Sequence, residues 1–313
     1  MHLLFCGDAR EFLAQHTFSV QPVHLVVTSP PYNLKTNYDG YGDNLSYDAY
    51  WQFMQEWLTL CYKALIPSGR IAVNLPLGTR PFGNCFFPNL YALMRQVGFL
   101  DLTTIVWVKQ FADTGKLICP HQLYGSVASA KSPYFRDACE LILVMQKPGD
   151  GFPMPRPSDL TEAEYADWTT SVWRIETEKD RIVHPAPFPL QLPYRLIKLL
   201  TVPGQVVIDP FLGSGTTLKA CELLGRKCIS CELSPQYIRV AWQRVRTAKL
   251  MVITRGDLPP NGGKPTQKPL FTAPVPWIPP AKTRSSNTSS LATTKSWRWL
   301  HNTRWNCEPA SSH

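Results

Sequence analysis

Two short stretches of the chain carry residue types at spacings that chemistry could use. Val206-Val207-Ile208-Asp209-Pro210-Phe211-Leu212-Gly213-Ser214-Gly215-Thr216-Thr217 reads as strand, glycine turn and helix. That layout lets a ligand meet the carboxyl end of a strand and the N-terminus of a helix. Gly213 and Gly215 allow the backbone to approach a ligand with no β-carbon in the way. The loop that ends in Gly-Lys-Ser or Gly-Lys-Thr is absent, and no third glycine completes GxGxxG, so the indicated ligand has no pyrophosphate. Glu232 ends the next apolar run, twenty-three residues after Asp209, where an acid can accept both hydroxyls of a ribose. The second stretch is Thr28-Ser29-Pro30-Pro31-Tyr32-Asn33. It follows the apolar run His24–Val27, and its two prolines forbid any continuation of a strand ladder.

The elements that position these stretches alternate short apolar runs with helical spacing, the pattern of an α/β fold with a largely parallel sheet. Strands are expected at Leu3–Cys6, His24–Val27, Arg70–Asn74, Leu102–Val108, Glu140–Met145, Gln205–Ile208 and Cys228–Cys231. Apolar residues at 50, 53, 54, 57, 58, 61 and 65 predict a helix over Tyr50–Leu65, closed by Pro67-Ser68-Gly69. Further helices are expected over Thr216–Leu224 and Tyr237–Arg244. Residues 76–90, 110–136 and 148–172 read as loops longer than ordinary connections. No internal repeat is present.

The 313 residues are 44% hydrophobic and 18% charged, which supplies a large core and excludes a wholly disordered chain. No apolar stretch approaches the roughly 20 residues that cross a bilayer. The start Met1-His2-Leu3-Leu4-Phe5 meets Asp8 and Arg10 too soon for a signal peptide, so a cytoplasmic protein without membrane contact is expected. The net charge is +9, but residues 255–313 hold eight Lys/Arg against two acids and so carry +6 of it. Any polyanion groove in residues 1–254 must therefore come from local clustering. The same 255–313 stretch has nine prolines, fourteen Ser/Thr and no periodicity, and reads as a disordered basic tail after one catalytic domain of residues 1–254. Its end, with Trp297, Arg298, Trp299 and Trp305, mixes aromatics and cations in the manner of a stacking surface, although composition alone does not specify binding. Nine scattered cysteines fit reduced thiols. Cys228 and Cys231 stand at an odd spacing on one strand, which points their sulfurs to opposite faces, so no metal site is expected.

Together, Thr28–Asn33 and Asp209–Thr217 resemble the S-adenosylmethionine-dependent DNA amino-methyltransferases, which modify N4 of cytosine or N6 of adenine. The Pro-Pro-Tyr motif precedes the glycine motif by about 180 residues, which is similar to the circularly permuted beta class of that family. The resemblance spans roughly 1–247 and continues through Gly7-Asp8, Pro67–Arg70, Trp107-Val108-Lys109, Glu140–Lys147, His184–Pro189 and Gly225-Arg226. It implies a Rossmann-like methyltransferase sheet with helices on both faces and S-adenosyl-L-methionine as cofactor. Double-stranded DNA is the implied partner, with a cognate restriction endonuclease acting at the same site and a monomeric or homodimeric state. Residue by residue, it implies that Asp8 contacts the cofactor adenine and Glu232 the ribose. His184, Pro185 and Phe188 would close over the methionine moiety. Phe211 would pack near the cofactor, with Asp209 and the amides of Gly213, Ser214, Gly215 and Thr216 beside its amino-acid end.

Ser29, Pro30, Pro31 and Tyr32 are then the candidate catalytic residues. An exocyclic base amine is a poor nucleophile, because its lone pair is delocalised into the ring. Acceptors in the base plane, here Ser29 Oγ and the Pro30 carbonyl, can bind both N–H hydrogens and align the lone pair with a sulfonium methyl. Two prolines preorganise that carbonyl, and Tyr32 offers a face for an extruded base. Cys119 precedes Pro120 rather than following it, so no motif for covalent C5-cytosine catalysis is present. In this family Ser at the first motif position is more typical of N4-cytosine enzymes and Asp of N6-adenine enzymes; Ser29 favours cytosine, with adenine as the alternative. An RNA or protein substrate is disfavoured by the motif order, and an inactive DNA-binding remnant by the intact motifs. The usual recognition region would fall at 148–172, which is short and acidic through Asp159, Glu162, Glu164 and Asp167. Arg80 in 76–90 and Lys116, Lys131 and Arg136 in 110–136 are better candidates for DNA contacts. Glu140, a strand-end acid, is read as structural.

Overall fold

The computed structural model describes residues 2–15, 22–77, 86–118, 137–178, 185–245 and 250–254. Arg80, Lys131, Arg136, His184 and the 255–313 tail lie outside the described residues. Nine strands form one sheet in the order β11 (Leu250–Thr254), β1 (His2–Cys6), β10 (Lys227–Glu232), β9 (Val206–Asp209), β2 (Val23–Thr28), β5 (Leu65–Pro76), β7 (Cys139–Gln146), β6 (Leu100–Lys109) and β8 (Val172–Ile175). All neighbours pair in parallel except those of β7, which runs against both β5 and β6. A two-stranded hairpin, β3 (Asn37–Tyr38) and β4 (Tyr41–Gly42), stands apart.

Strands such as His2–Cys6 and Val206–Asp209 are buried along their whole length. Near-continuous apolar runs of this kind belong to a sheet covered on both faces. On one face α1 (Ala9–Gln15), α2 (Tyr47–Ala64) and α3 (Phe86–Val97) bury Phe12, Trp57, Leu58 and Leu90 against Phe5, Ile71, Ile208 and Cys231. On the other, α5 (Gln191–Leu200), α6 (Thr216–Leu223) and α7 (Pro235–Arg244) bury Leu196, Leu218 and Ile238 against Leu4, Val27, Val207 and Cys228. Each fully buried Leu or Phe contributes about 1.5–3 kcal/mol. Cys228 and Cys231 thus serve opposite faces, and their spacing cannot converge on a metal. No described helix is long and apolar enough to cross a membrane.

Two of the stretches read as loops hold regular structure. Within 76–90, α3 begins at Phe86. Within 148–172, α4 (Glu162–Trp168) starts from a reciprocal capping box between Thr161 and Glu164. The acids of that segment tie it to the body. Asp159 grips the fully buried Arg226 at 2.6 and 2.7 Å, and Glu164 pairs with Lys198 of α5 at 2.7 Å. Gln205 also donates to the Pro153 carbonyl, and Arg70 stacks on Phe152. Pro67-Ser68-Gly69, expected to close a helix, lies inside β5 as an irregularity, with Ser68 at φ 60 and a register shift against β2.

Candidate active site

A cleft of about 650 Å³ opens along one edge of the sheet. Because β1, β2, β5, β6, β9 and β10 all run the same way, their carboxyl ends deliver Asp8, Ser29, Asn74, Lys109, Phe211 and Glu232 to that edge. Antiparallel β7 delivers Glu140 from its beginning. Ser29, Pro30, Pro31 and Tyr32 line the cleft immediately after β2. Tyr50 of α2 donates to the Pro31 carbonyl at 2.9 Å, whereas no described group donates to the Pro30 carbonyl.

The hydroxyls of Ser29 and Tyr32 are 2.8 Å apart. Tyr32 Oη is also 3.3 Å from both the Asn74 carbonyl and Glu140 Oε2. Asn74 Nδ2 donates to Tyr32 Oη at 2.9 Å and to Glu140 Oε2 at 2.6 Å, and Lys109 Nζ pairs with Glu140 Oε1 at 2.5 Å. Burial and then the Glu140 charge push the Tyr32 phenol well above its ordinary range, so it stays protonated. Tyr32 is therefore more than a stacking face, because its hydroxyl links Ser29 to an ion pair. Asn74, Lys109 and Glu140 were given no functional role by sequence reasoning, although two of them fall in stretches shared with the family pattern.

The opposite wall holds the candidate cofactor residues. Glu232 accepts from the Gly213 amide and the Ser234 amide, each at 2.8 Å, and burial pushes its carboxyl up to about 7. Phe211 packs edge-on to Trp57 and tilted against Phe53. Asp8 lines the cleft and is held by Arg10, whose other side reaches Glu56 at 2.6 Å. Pro185 and Phe188 line the facing side, while His184 is outside the described residues. Gly213, Ser214 and Thr216 also line the cleft.

Asp209 and Gly215 sit behind that wall. Asp209 is fully buried and accepts from Thr28 Oγ1 at 2.8 Å and from the Phe211 amide at 3.1 Å. Burial pushes its carboxyl up to about 6, with those hydrogen bonds pulling the other way. Gly215 caps α6 at φ 89, and a β-carbon there would stand 2.6 Å from Ala241 Cβ. Its conformation and the close approach of α7 require glycine, not the approach of a ligand as the sequence suggested.

A flap over residues 33–46 completes the cleft, and sequence reasoning missed it. Asp43 accepts from the amides of Asn33, Leu34 and Thr36, and the Asn33 side chain exchanges two hydrogen bonds with the Leu45 backbone. Asn33 takes φ 56, which Asn tolerates better than most residues. Tyr38 and Tyr41 of the hairpin face the cleft, and Asp39 accepts from Ser234 at the start of α7.

A mostly parallel sheet with a nucleoside-sized cleft at its carboxyl edge and an amine-sized acceptor pair beside it defines a Rossmann-like methyltransferase. Comparison with known proteins agrees. A family profile described as DNA methylase, of N6/N4 methyltransferase type, matches residues 23–243. The type II methyltransferase M.MjaI of Methanocaldococcus jannaschii is 30% identical over 277 residues, covering 74% of this chain and 87% of its own. The type II methyltransferase M.HpaI of Haemophilus parainfluenzae is 27% identical over 247 residues, covering 77% and 73%. Among solved structures, TTHA0409 of Thermus thermophilus, a DNA modification methylase by similarity, aligns with a TM-score of 0.63 at 28% identity over 81% of this chain and all of its own. The same protein complexed with S-adenosyl-L-methionine aligns with a TM-score of 0.60 at 29% identity over 82% and 99%. The chain belongs to the DNA methylase family, whose members are S-adenosylmethionine-dependent DNA methyltransferases.

Proposed function

We propose that the chain methylates the exocyclic N4 of cytosine in double-stranded DNA at a specific site, in the permuted beta arrangement and alongside a restriction endonuclease of the same specificity. The observation that carries this reading is Ser29. A neutral hydroxyl, not a carboxylate, stands at the end of β2 beside the Pro30 carbonyl, to which no described group donates. Together they can take both hydrogens of an amine. The type II names of M.MjaI and M.HpaI support the restriction context.

The residues present fit the methyl donor. Glu232 has lone pairs left after accepting two amides and can take a sugar diol, and Asp8 and Phe211 offer an acceptor and a ring face for a purine. When bound, S-adenosyl-L-methionine supplies an electrophilic methyl on a sulfonium. The chain's own part is to hold the amine. Ser29 and Pro30 orient it, Tyr32 flanks the base, and a base must leave the duplex to reach them. Phe188 and Pro185 cover the site from the facing side and limit water.

The test is incubation with labelled S-adenosylmethionine and mixed-sequence DNA, followed by chromatography and mass spectrometry of the nucleosides. N4-methylcytosine is expected. N6-methyladenine would retain the chemistry and remove Ser29 as a guide to the base, and label only in RNA or protein would overturn the DNA assignment.

A further inference from the structure

We propose that Glu140 is a positioning residue that sets the direction of the hydrogen-bond chain Ser29–Tyr32–Glu140, and thereby makes Ser29 an acceptor for the target amine. This rests on the proposed role of Ser29 in holding that amine, and does not depend on whether the base is cytosine or adenine.

The 2.8 Å contact between Ser29 Oγ and Tyr32 Oη has two polarities. If Tyr32 donates, the hydrogen of Ser29 must turn elsewhere, and the open direction is the cleft, where it meets the hydrogens of an incoming amine. If Ser29 donates, its lone pairs are left for the amine. The phenol has one hydrogen, so whatever attracts it decides the outcome. Glu140 Oε2, 3.3 Å away, is the charged acceptor in reach, and the Asn74 carbonyl at 3.3 Å draws in the same sense. Hydrogen bonds to an ionised acceptor are roughly twice as strong as neutral ones.

The surroundings hold Glu140 to this task. Lys109 occupies Oε1 at 2.5 Å, in a pair whose side chains are 21% and 14% exposed. Asn74 places its amide nitrogen, not its oxygen, between Glu140 and Tyr32, and its Oδ1 is buried without a partner among the described residues. An orphaned buried carbonyl is costly. The amide tolerates that cost because its oxygen would otherwise face the carboxylate. Tyr32 thus receives from Asn74 and Ser29 and gives to Glu140, a consistent assignment of every hydrogen.

Glu140→Gln reverses the chain without changing its shape. Lys109 donates, so the glutamine oxygen must face it, and the new NH2 points at Tyr32 and Asn74. Tyr32 then donates to Ser29. Loss of one preorganised group at a reacting atom typically costs about a hundredfold to a thousandfold in turnover, so kcat should fall about a hundredfold. Melting temperature and cofactor affinity should hold. In Lys109→Met/Glu140→Gln the glutamine is free to turn its oxygen toward Tyr32, and about tenfold of the loss should return, a rescue that simple damage would not give. In a Tyr32→Phe background the chain is already cut, and Glu140→Gln should cost no more than about threefold further.

A Glu140→Gln enzyme with near-normal kcat, a loss that multiplies with that of Tyr32→Phe, no rescue by Lys109→Met, or lost cofactor binding would each overturn the proposal. The unaltered enzyme separates the two readings. If it methylates DNA while the variants behave in any of those ways, only the role of Glu140 fails; if it methylates no amine, both fail.

Discussion

Cofactor affinity should depend on pH through Glu232, and that dependence should vanish when the residue is changed. Burial pushes its carboxyl from an ordinary 4.5 up to about 7, against the pull of the Ser234 and Gly213 amides. Both oxygens already accept one amide each, so only the ionised form keeps a full set of lone pairs for a diol. A ligand that binds the carboxylate and not the acid is favoured as pH rises through about 7, and its affinity levels off above that. One unit below the pKa only about a tenth of the sites are ionised, so affinity should drop about tenfold, or about 1.4 kcal/mol, and by about a further tenfold for the next unit. Calorimetry with 5′-methylthioadenosine isolates this effect, because the probe lacks the amino and carboxyl groups of the full cofactor. In Glu232→Gln the NH2 would face one of the two amide donors, costing about 1.5–3 kcal/mol at high pH, and the profile should flatten. Asp209, pushed up to about 6 behind the wall, is retained in that variant and accounts for any residual slope at lower pH. A variant with the full pH dependence of the original, or an original whose affinity is level from about pH 6 to 8, would refute the reasoning.

Four further outcomes are expected. Gly215→Ala should destabilise by about 2–5 kcal/mol, from a left-handed φ of 89 and a 2.6 Å collision with Ala241, seen as a drop in thermal midpoint; a loss below about 1 kcal/mol would show that α7 yields. Ser29→Ala should keep cofactor affinity in calorimetry while losing most of kcat in the methylation assay, and equal loss of both would contradict the division between the two walls. Thr28→Val, nearly isosteric, removes a buried donor to Asp209 and should cost about 1–3 kcal/mol in denaturant unfolding, with cofactor affinity and turnover falling together. Asp159→Ala leaves the fully buried Arg226 without its carboxylate and should cost about 2–4 kcal/mol in the same measurement, with cofactor affinity unchanged; a neutral result would mean that Thr201 alone satisfies the guanidinium.

What could be read from the sequence was local. Seven strands show as apolar runs because burial on both faces leaves no alternation to disguise them, and the Ser29–Tyr32 and Gly213–Thr216 turns announce themselves through proline and glycine. Glu232 was legible because the strand that carries it follows the glycine turn directly. The flap was not, since its organiser Asp43 works through backbone amides at 33, 34 and 36, and no side-chain pattern betrays that. Helix α4 was hidden by its polarity, as none of its residues is buried, and the acids that looked unsuited to DNA serve Arg226 and Lys198 instead. Gly215 was legible as a glycine that mattered, but the reason lies in α7, more than twenty residues on. Glu140 was visible only as an acid at a strand end.

The reversal of β7 explains why that last residue carries more than its position suggests. In a parallel sheet only the residues that follow a strand reach the ligand edge, so an acid that begins a strand is expected at the opposite end. Because β7 runs against β5 and β6, Glu140 pairs with Pro76 and Trp107 and arrives at the cleft beside Ser29. The same edge is closed from the other direction by Thr28, which is bonded to Asp209 across 181 positions of sequence and so joins the Pro-Pro-Tyr loop to the glycine turn. The residues proposed to hold the amine and those proposed to hold the donor are therefore braced against one another by a single buried hydrogen bond, while the polarity of Ser29 is set from a third strand. Methyl transfer needs the nitrogen, the methyl and the acceptors in line to within a fraction of an ångström. A fold that locks both loops to one buried carboxylate meets that demand without relying on the surface segments between them.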